Sequence, residues 1–213
     1  MTRFAASSDP QEIVLARSLI YRRLADGFRY PDEVIYPLLA SPSLYEELRG
    51  ACAVLEYHEC AHDLSELGPA SVLPRTEMES AYLDSFEVTD GTGNFCSLHE
   101  GNYRRDLSHS QLLIELKSLY EHFGLVMAEE ANELPDHVCA ELEFMHFLTL
   151  KQAEALEAGA DADAYIQAQR DVGTGHLKCW LPAQAVRASE VVTEAFYRQW
   201  SQLTADFISR EPF

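Results

Sequence analysis

The chain has 213 residues, 47% hydrophobic and 10% aromatic, a composition that supports a packed core and excludes intrinsic disorder. Thirty-five acidic against 16 basic residues give a formal net charge of −19, a field that repels nucleic-acid phosphates and anionic membranes and attracts basic ligands such as an arginine- or lysine-rich peptide. No apolar run approaches the roughly 20 residues needed to cross a bilayer, and MTRFAASSDPQEIVLARSL has no apolar segment of the secretory type, so the expectation is a cytoplasmic protein with no nucleic-acid partner and no stable membrane insertion.

The periodicity is helical nearly throughout. Asp9 followed by Pro10 reads as the cap and first position of a helix whose apolar face draws on Ile13, Leu15, Ile20 and Leu24. Ser41 and Pro42 open a second helix, which the pattern carries to Gly68. PRTEMESAYLDSFEV is a shorter one, with Tyr82 and Phe86 at i, i+4. TDGTGNFCSLHEGNYRRDLSHS, with three glycines, then interrupts the pattern as a long loop of the functional kind, and its Phe95, Leu98 and Tyr103 predict that it packs onto something. Helices resume with SQLLIELKSLYEHFGL, break at AEEANELPDH, and continue with PDHVCAELEFMHFLTLKQAEALEAG, where Pro135 presets the first turn and Asp136 suits its dipole. DADAYIQAQRDVGTGHLKCWLPAQAV carries one helix, a glycine turn at Gly173 and Gly175 and a Trp-Leu-Pro break; SEVVTEAFYRQWSQLTADFISR is the last helix. No stretch alternates with period two. The expected architecture is all-α: one domain over residues 1–213, a bundle of roughly eight to ten helices, with a long functional loop between the Tyr82/Phe86 helix and the next. The five cysteines, Cys52, Cys60, Cys96, Cys139 and Cys179, are odd in number and form no C-x-x-C pair, as reduced and mostly buried thiols would be.

Two stretches invite a functional reading. His58-Glu59-Cys60-Ala61-His62 matches H-E-x-x-H, in which two histidines one helical turn apart hold zinc and the glutamate serves as base. A zinc-dependent hydrolase built on His58, Glu59 and His62 is thus one alternative. Its third ligand is not evident: Ser65 stands where the extended motif needs glycine, HECAHDLSELG has no later histidine, and a downstream glutamate such as Glu77, Glu79 or Glu87 is uninformative in so acidic a chain. Glu56, Glu59, Asp63 and Glu66 also make the helix wet on much of its surface. A surface helix with adventitious histidines is the better reading. Neither DGTGN nor VGTGH is a phosphate-binding loop, and no nucleophile elbow is present. In ANELPDHVCAELEFMHFL, Glu133, Asp136 and His137 cluster at a helix entrance, with Glu141 one turn beyond His137; from these residues alone the cluster reads as a capped helix start.

ELPDHVCAELEFMHFL also resembles the signature of the TorD/DmsD/NarJ family of cytoplasmic chaperones for molybdenum-containing oxidoreductases. YLDSFEV is similar to that family's aromatic-x-x-x-Phe helix, CSLHEGNY to the loop after it, and GHLKCWLPAQAVRASEVVTEAFYRQWSQLTADFI to its C-terminal part, with His176, Trp180, Pro182 and the Phe196-Tyr197 pair in the expected order. The loop departs from the pattern in having Cys96-Ser97-Leu98-His99 where prolines are common, and Gly101 where serine is frequent. The resemblance implies a non-catalytic chaperone without a cofactor of its own. Its partner would be the precursor of a molybdoenzyme catalytic subunit, bound through its twin-arginine signal peptide until the molybdenum cofactor is inserted. On that basis Glu133, Asp136 and Glu100, with Glu141 nearby, would meet the arginines, and Tyr82, Phe86, Leu98 and Tyr103 would line a groove for the apolar segment. His137 would brace Asp136, and Trp180, Phe196 and Tyr197 would be core. The chain would be a monomer or a helix-swapped dimer. A helical adaptor for some other basic peptide shares this chemistry and remains an alternative.

Overall fold

Asp9 caps the first helix, α1 (Pro10–Gly27), accepting from the Gln11 N–H at 3.0 Å with Pro10 at its first position, so α1 begins where its local signals place it. The structure is a computed structural model and describes residues 7–58, 64, 67–87, 95–127 and 133–213. The chain continues through α2 (Ile35–Leu39), α3 (Pro42–Val54), α4 (Arg75–Tyr82), α5 (His109–His122), α6 (Val138–Glu157), α7 (Asp163–Val172), α8 (Lys178–Val191) and α9 (Ala195–Arg210). Wide π turns cover Leu83–Glu87 and Gly173–Leu177, and short 3-10 turns cover Pro69–Ser71 and Glu100–Asn102. Among the described residues there is no strand, only one isolated antiparallel bridge between His99 and His137. The fold is all-α.

The central helix is α1, which packs most extensively on α6 and also meets α3 and α9; α8 pairs with α9, and α7 with α6. One hydrophobic cluster runs through all of these elements. Trp180, Phe196 and Tyr197 are wholly buried in it, as expected of core residues, and Phe196 stacks on Trp200 with centroids 5.4 Å apart. Trp200 donates from its indole N–H to the Leu24 carbonyl at 3.0 Å, tying α9 to α1. A second tie is polar. Glu211, buried just beyond α9, accepts from Arg17 Nε at 2.8 Å and from the Tyr21 hydroxyl at 2.7 Å. Such a buried pair costs much desolvation, so its value lies in fixing how α9 meets α1 more than in net stability.

Several sequence expectations need correction. Leu15 is 42% exposed, and the buried stripe of α1 runs through Val14, Ala16, Ile20, Tyr21 and Leu24 instead. Helix α3 stops at Val54, well short of Gly68, and Glu56 takes a left-handed conformation at φ 57°. His58 follows and is exposed, while Glu59 and His62 of the H-E-x-x-H motif lie outside the described residues. Tyr82 and Phe86 do meet one turn apart, edge to face at 5.2 Å, across the junction of α4 with its π turn. Gly173 and Gly175 do not break the chain; they widen it into a π turn that runs directly into α8. Pro182 lies inside α8. The bond it lacks would reach back to Lys178, the first residue of that helix, so little of the ladder is lost. The break comes later, at 192–194, before Glu194 caps α9 by accepting from the Phe196 N–H at 3.3 Å. Cys52, Cys96 and Cys139 are buried, and Cys179 is exposed; Cys60 lies outside the described residues.

Gly27 lets the Trp200 ring lie directly against the backbone of α1, because a Cβ there would sit 1.9 Å from Cε2 of that ring. Gly27→Ala is expected to displace the indole and strain its bond to Leu24, costing about 1–3 kcal/mol of stability. Urea unfolding monitored by tryptophan fluorescence checks this, and an unchanged midpoint would contradict it.

Candidate functional site

The site is built around the entrance of α6. Proline disfavours helix in the residue before it, and Pro135 lies outside α6 in a turn whose carbonyl accepts from the Tyr120 hydroxyl at 2.9 Å. The helix cap is His137, whose Nδ1 accepts from the Cys139 N–H at 3.2 Å. Asp136 therefore stands outside the first helical turn, a correction to its expected place within it. The loop after α4 is stitched to this entrance by two main-chain bonds, Glu100 N–H to Asp136 O at 2.9 Å and Val138 N–H to Leu98 O at 2.8 Å.

Three carboxyl groups meet beneath that seam, each with no solvent exposure. Asp136 accepts at 3.1 Å from each of three donors, His99 Nδ1, the Gly101 N–H and His109 Nε2. Burial alone would raise its pKa, but these three donors together hold it below the usual carboxylate range. Glu100 accepts from Arg104 at 2.6 Å and from His176 Nδ1 at 2.9 Å. Arg104 also donates to the Gly175 carbonyl at 2.7 Å, which locks the π turn before α8 to the loop. Glu141 accepts from the Trp180 indole at 3.2 Å. Burial, reinforced by the nearby Glu100, pushes its pKa well above the usual carboxylate range. Gly101 has a steric reason to be glycine, since a Cβ there would lie 2.5 Å from the His109 ring and 3.0 Å from Asp136 Oδ2.

The structure thus gathers Glu100, Asp136, His137 and Glu141 into one hub, but turns the three carboxyls inward. Their oxygens face partners within the chain, except Glu141 Oε1, which is buried with no hydrogen-bond partner among the described residues. Tyr82, Phe86 and Leu98, expected along a groove, are buried with the core, although Tyr82 keeps an edge on the cleft beside Glu133. Tyr103 is half-buried, stacked on Trp180 at 5.6 Å with its hydroxyl bonded to the Ser97 carbonyl. Of the expected carboxylates, Glu133 alone faces solvent, with its side chain 44% exposed.

Glu133 opens onto a cleft of roughly 480 Å³ lined by Tyr30, Tyr82, Leu83, Glu87, His99, Leu134 and His137. Half-burial, with Glu143 as a like-charged neighbour, raises its pKa above the usual range, the condition of a carboxylate that a cationic ligand would relieve. Glu133 also borders an adjoining cleft of roughly 370 Å³ whose walls include Leu125, Val126, Met127, Phe144 and Phe147. Tyr30, Leu83, Glu87 and Leu134 were missed from sequence. The available signal was that Leu83 and Leu134 are apolar beside acidic residues at helix ends, and both prove to be substantially exposed.

Burial and the neighbouring His99 lower the His137 pKa from 6.5 to about 4. Between those values the unfolded chain binds a proton that the folded one does not. Stability from this group is therefore complete above pH 6.5 and is lost as pH falls toward 4, by on the order of 3 kcal/mol. His137→Asn keeps an acceptor for the helix cap and is expected to flatten that part of the stability profile. Urea midpoints across pH 4–7 that fall equally in both proteins would contradict the assignment.

The family described as nitrate reductase delta subunit matches residues 42–185. The chain is 34% identical to the perchlorate reductase assembly chaperone protein of Dechloromonas aromatica, over 91% of this chain and 87% of that one. It is 35% identical to the chlorate reductase assembly chaperone protein of Ideonella dechloratans, over 64% and 69% respectively. In fold it is similar to the crystal structure of a candidate redox enzyme maturation protein from Archaeoglobus fulgidus, with a TM-score of 0.52 and 16% identity over 99% of this chain and all of that one. With the signature residues assembled around a single helix entrance and a family match over most of its length, the chain belongs to the nitrate reductase delta subunit family, that of the TorD/DmsD/NarJ maturation chaperones.

Proposed function

We propose that the protein is a cytoplasmic, non-catalytic chaperone that holds the twin-arginine signal peptide of an apo molybdenum-cofactor oxidoreductase subunit, assisting cofactor insertion and preventing premature export. The observation that carries this reading is the cleft around Glu133. Two carboxylates, Glu87 and Glu133, share it with Tyr30 and Tyr82, and Glu133's neighbour His137, 3.8 Å away, stays neutral at physiological pH. An arginine guanidinium suits these walls, forming charge-assisted and bidentate bonds to a carboxylate while its plane lies against an aromatic ring. The apolar segment that follows the arginines would run past Leu83 and Leu134 into the adjoining cleft between Leu125, Val126, Met127, Phe144 and Phe147. Glu100, Asp136 and Glu141 would then be positioning residues that hold the loop and the α6 entrance in register, while Glu133 and Glu87 touch the peptide. The assembly-chaperone names of the relatives support the class of partner.

Fluorescence anisotropy with a synthetic twin-arginine signal peptide tests the division of roles. Glu87→Gln with Glu133→Gln is expected to weaken binding at least tenfold, about 1.4 kcal/mol, without lowering the melting temperature, because the substitutions remove like charge. Asp136→Asn is expected to lower affinity and melting temperature together. Unchanged affinity in the double variant would remove this cleft from the site. Binding should also weaken as salt rises toward 1 M, where the Debye length is about 3 Å.

A further inference from the structure

A groove of roughly 600 Å³ lies between α1 and α3 and shares no residue with the Glu133 cleft. Its floor is small and apolar, formed by Ala16, Gly50 and Ala51, and its walls are Leu15, Leu19 and Val54. The stripe of apolar residues on α1 is wider than its own core uses: Leu15, at 42% exposure, flanks the buried positions Val14 and Ala16 and faces this groove. The charge around it has one sign. Glu12, Glu46 and Glu47 border the groove, and among the described residues no lysine or arginine lines it. Glu47 is engaged from outside by Arg23 at 2.8 Å, while Glu12 and Glu46 are exposed.

We propose that the α1–α3 groove is a second docking site, built for a cationic amphipathic helix of a partner protein. A groove walled by two helices receives the side-chain ridge of a third. The 13 residues of α3 give it a length of roughly 20 Å, about four turns of a bound helix. Apolar side chains at i, i+3, i+4 and i+7 would seat against Leu15, Leu19 and Val54 over the small floor, and flanking lysines or arginines would reach the carboxylates. A second copy of this chain is the wrong occupant on charge, since each copy carries −19 and would bring the same carboxylates to the contact. The site is distinct from the proposed signal-peptide cleft, and its failure would leave that cleft untouched.

The probe is a fluorescein-labelled 16-residue model helix of leucine, alanine and lysine with its leucines on one face, compared with a twin in which every lysine is glutamate. The lysine peptide is expected to bind the wild-type chain. Leu15→Asp, at an exposed position that leaves the core intact, should weaken it at least tenfold, and Glu46→Lys should do so independently of any packing change. Glu87→Gln with Glu133→Gln should leave it unchanged, and an unlabelled twin-arginine signal peptide should not displace it. Equal binding of the glutamate twin, wild-type affinity in both Leu15→Asp and Glu46→Lys, or full displacement by the signal peptide would each overturn the proposal. So would a dimer in sedimentation velocity that Leu15→Asp dissolves, which would assign the groove to a second copy.

Discussion

Burying three carboxyl groups within one seam is the constraint on which the rest of this structure turns. Removing an isolated charge from water costs several kcal/mol even after relaxation, so each of the three must find a donor or a proton. Asp136 finds three donors, Glu100 an arginine and a histidine, and Glu141 the Trp180 indole, with burial raising its pKa toward the neutral form. The donors come from the loop after α4, from the first residue of α5, from the π turn before α8 and from α8 itself. Satisfying the carboxyls therefore fixes the mutual placement of segments that hydrophobic packing alone would leave free to slide. The hub specifies the fold more than it stabilises it.

That arrangement separates two roles that one acidic motif appears to combine in sequence. Asp136, a short way along the chain from Glu133, is sealed and organises the helix entrance; Glu133 stands at the rim, half-desolvated and beside Glu143. A chain of net charge −19 could attract a cationic peptide anywhere on its surface. What singles out the Glu133 cleft is that its carboxylates sit among Tyr30, Tyr82, Leu83 and Leu134, where lower local polarity strengthens an ion pair and apolar side chains find a wall.

Much of the helical fold was legible in the sequence because it rests on local chemistry. Asp9-Pro10 and Ser41-Pro42 start helices by capping and by the fixed φ of proline, and Trp180, Phe196 and Tyr197 announce the core by size. The end of α3 at Val54 was hidden because apolar and acidic residues continue in helical rhythm past it. The π turn through Gly173 and Gly175 was hidden because glycine serves a break and a widened helix equally well. The site was half legible. PDHVCAE located the helix entrance, but whether a carboxylate points in or out depends on partners far along the chain: His109 lies 27 residues from Asp136, and His176 lies 76 from Glu100. The cleft combines Tyr30, Leu83 and Glu87 with Glu133 from separate elements, a juxtaposition that no local pattern encodes.

The central claim is that peptide arginines and the apolar residues after them lie across the cleft beside Glu133. The most direct measurement places photoreactive benzoylphenylalanine at Leu134, and in parallel at exposed Val186 on α8, irradiates each protein with a synthetic twin-arginine signal peptide, and maps the adducts by mass spectrometry. A peptide lying in this cleft cross-links from position 134 to its arginines or the residues just after them, and not from position 186. A peptide that binds with undiminished affinity yet cross-links only from position 186 would contradict that claim.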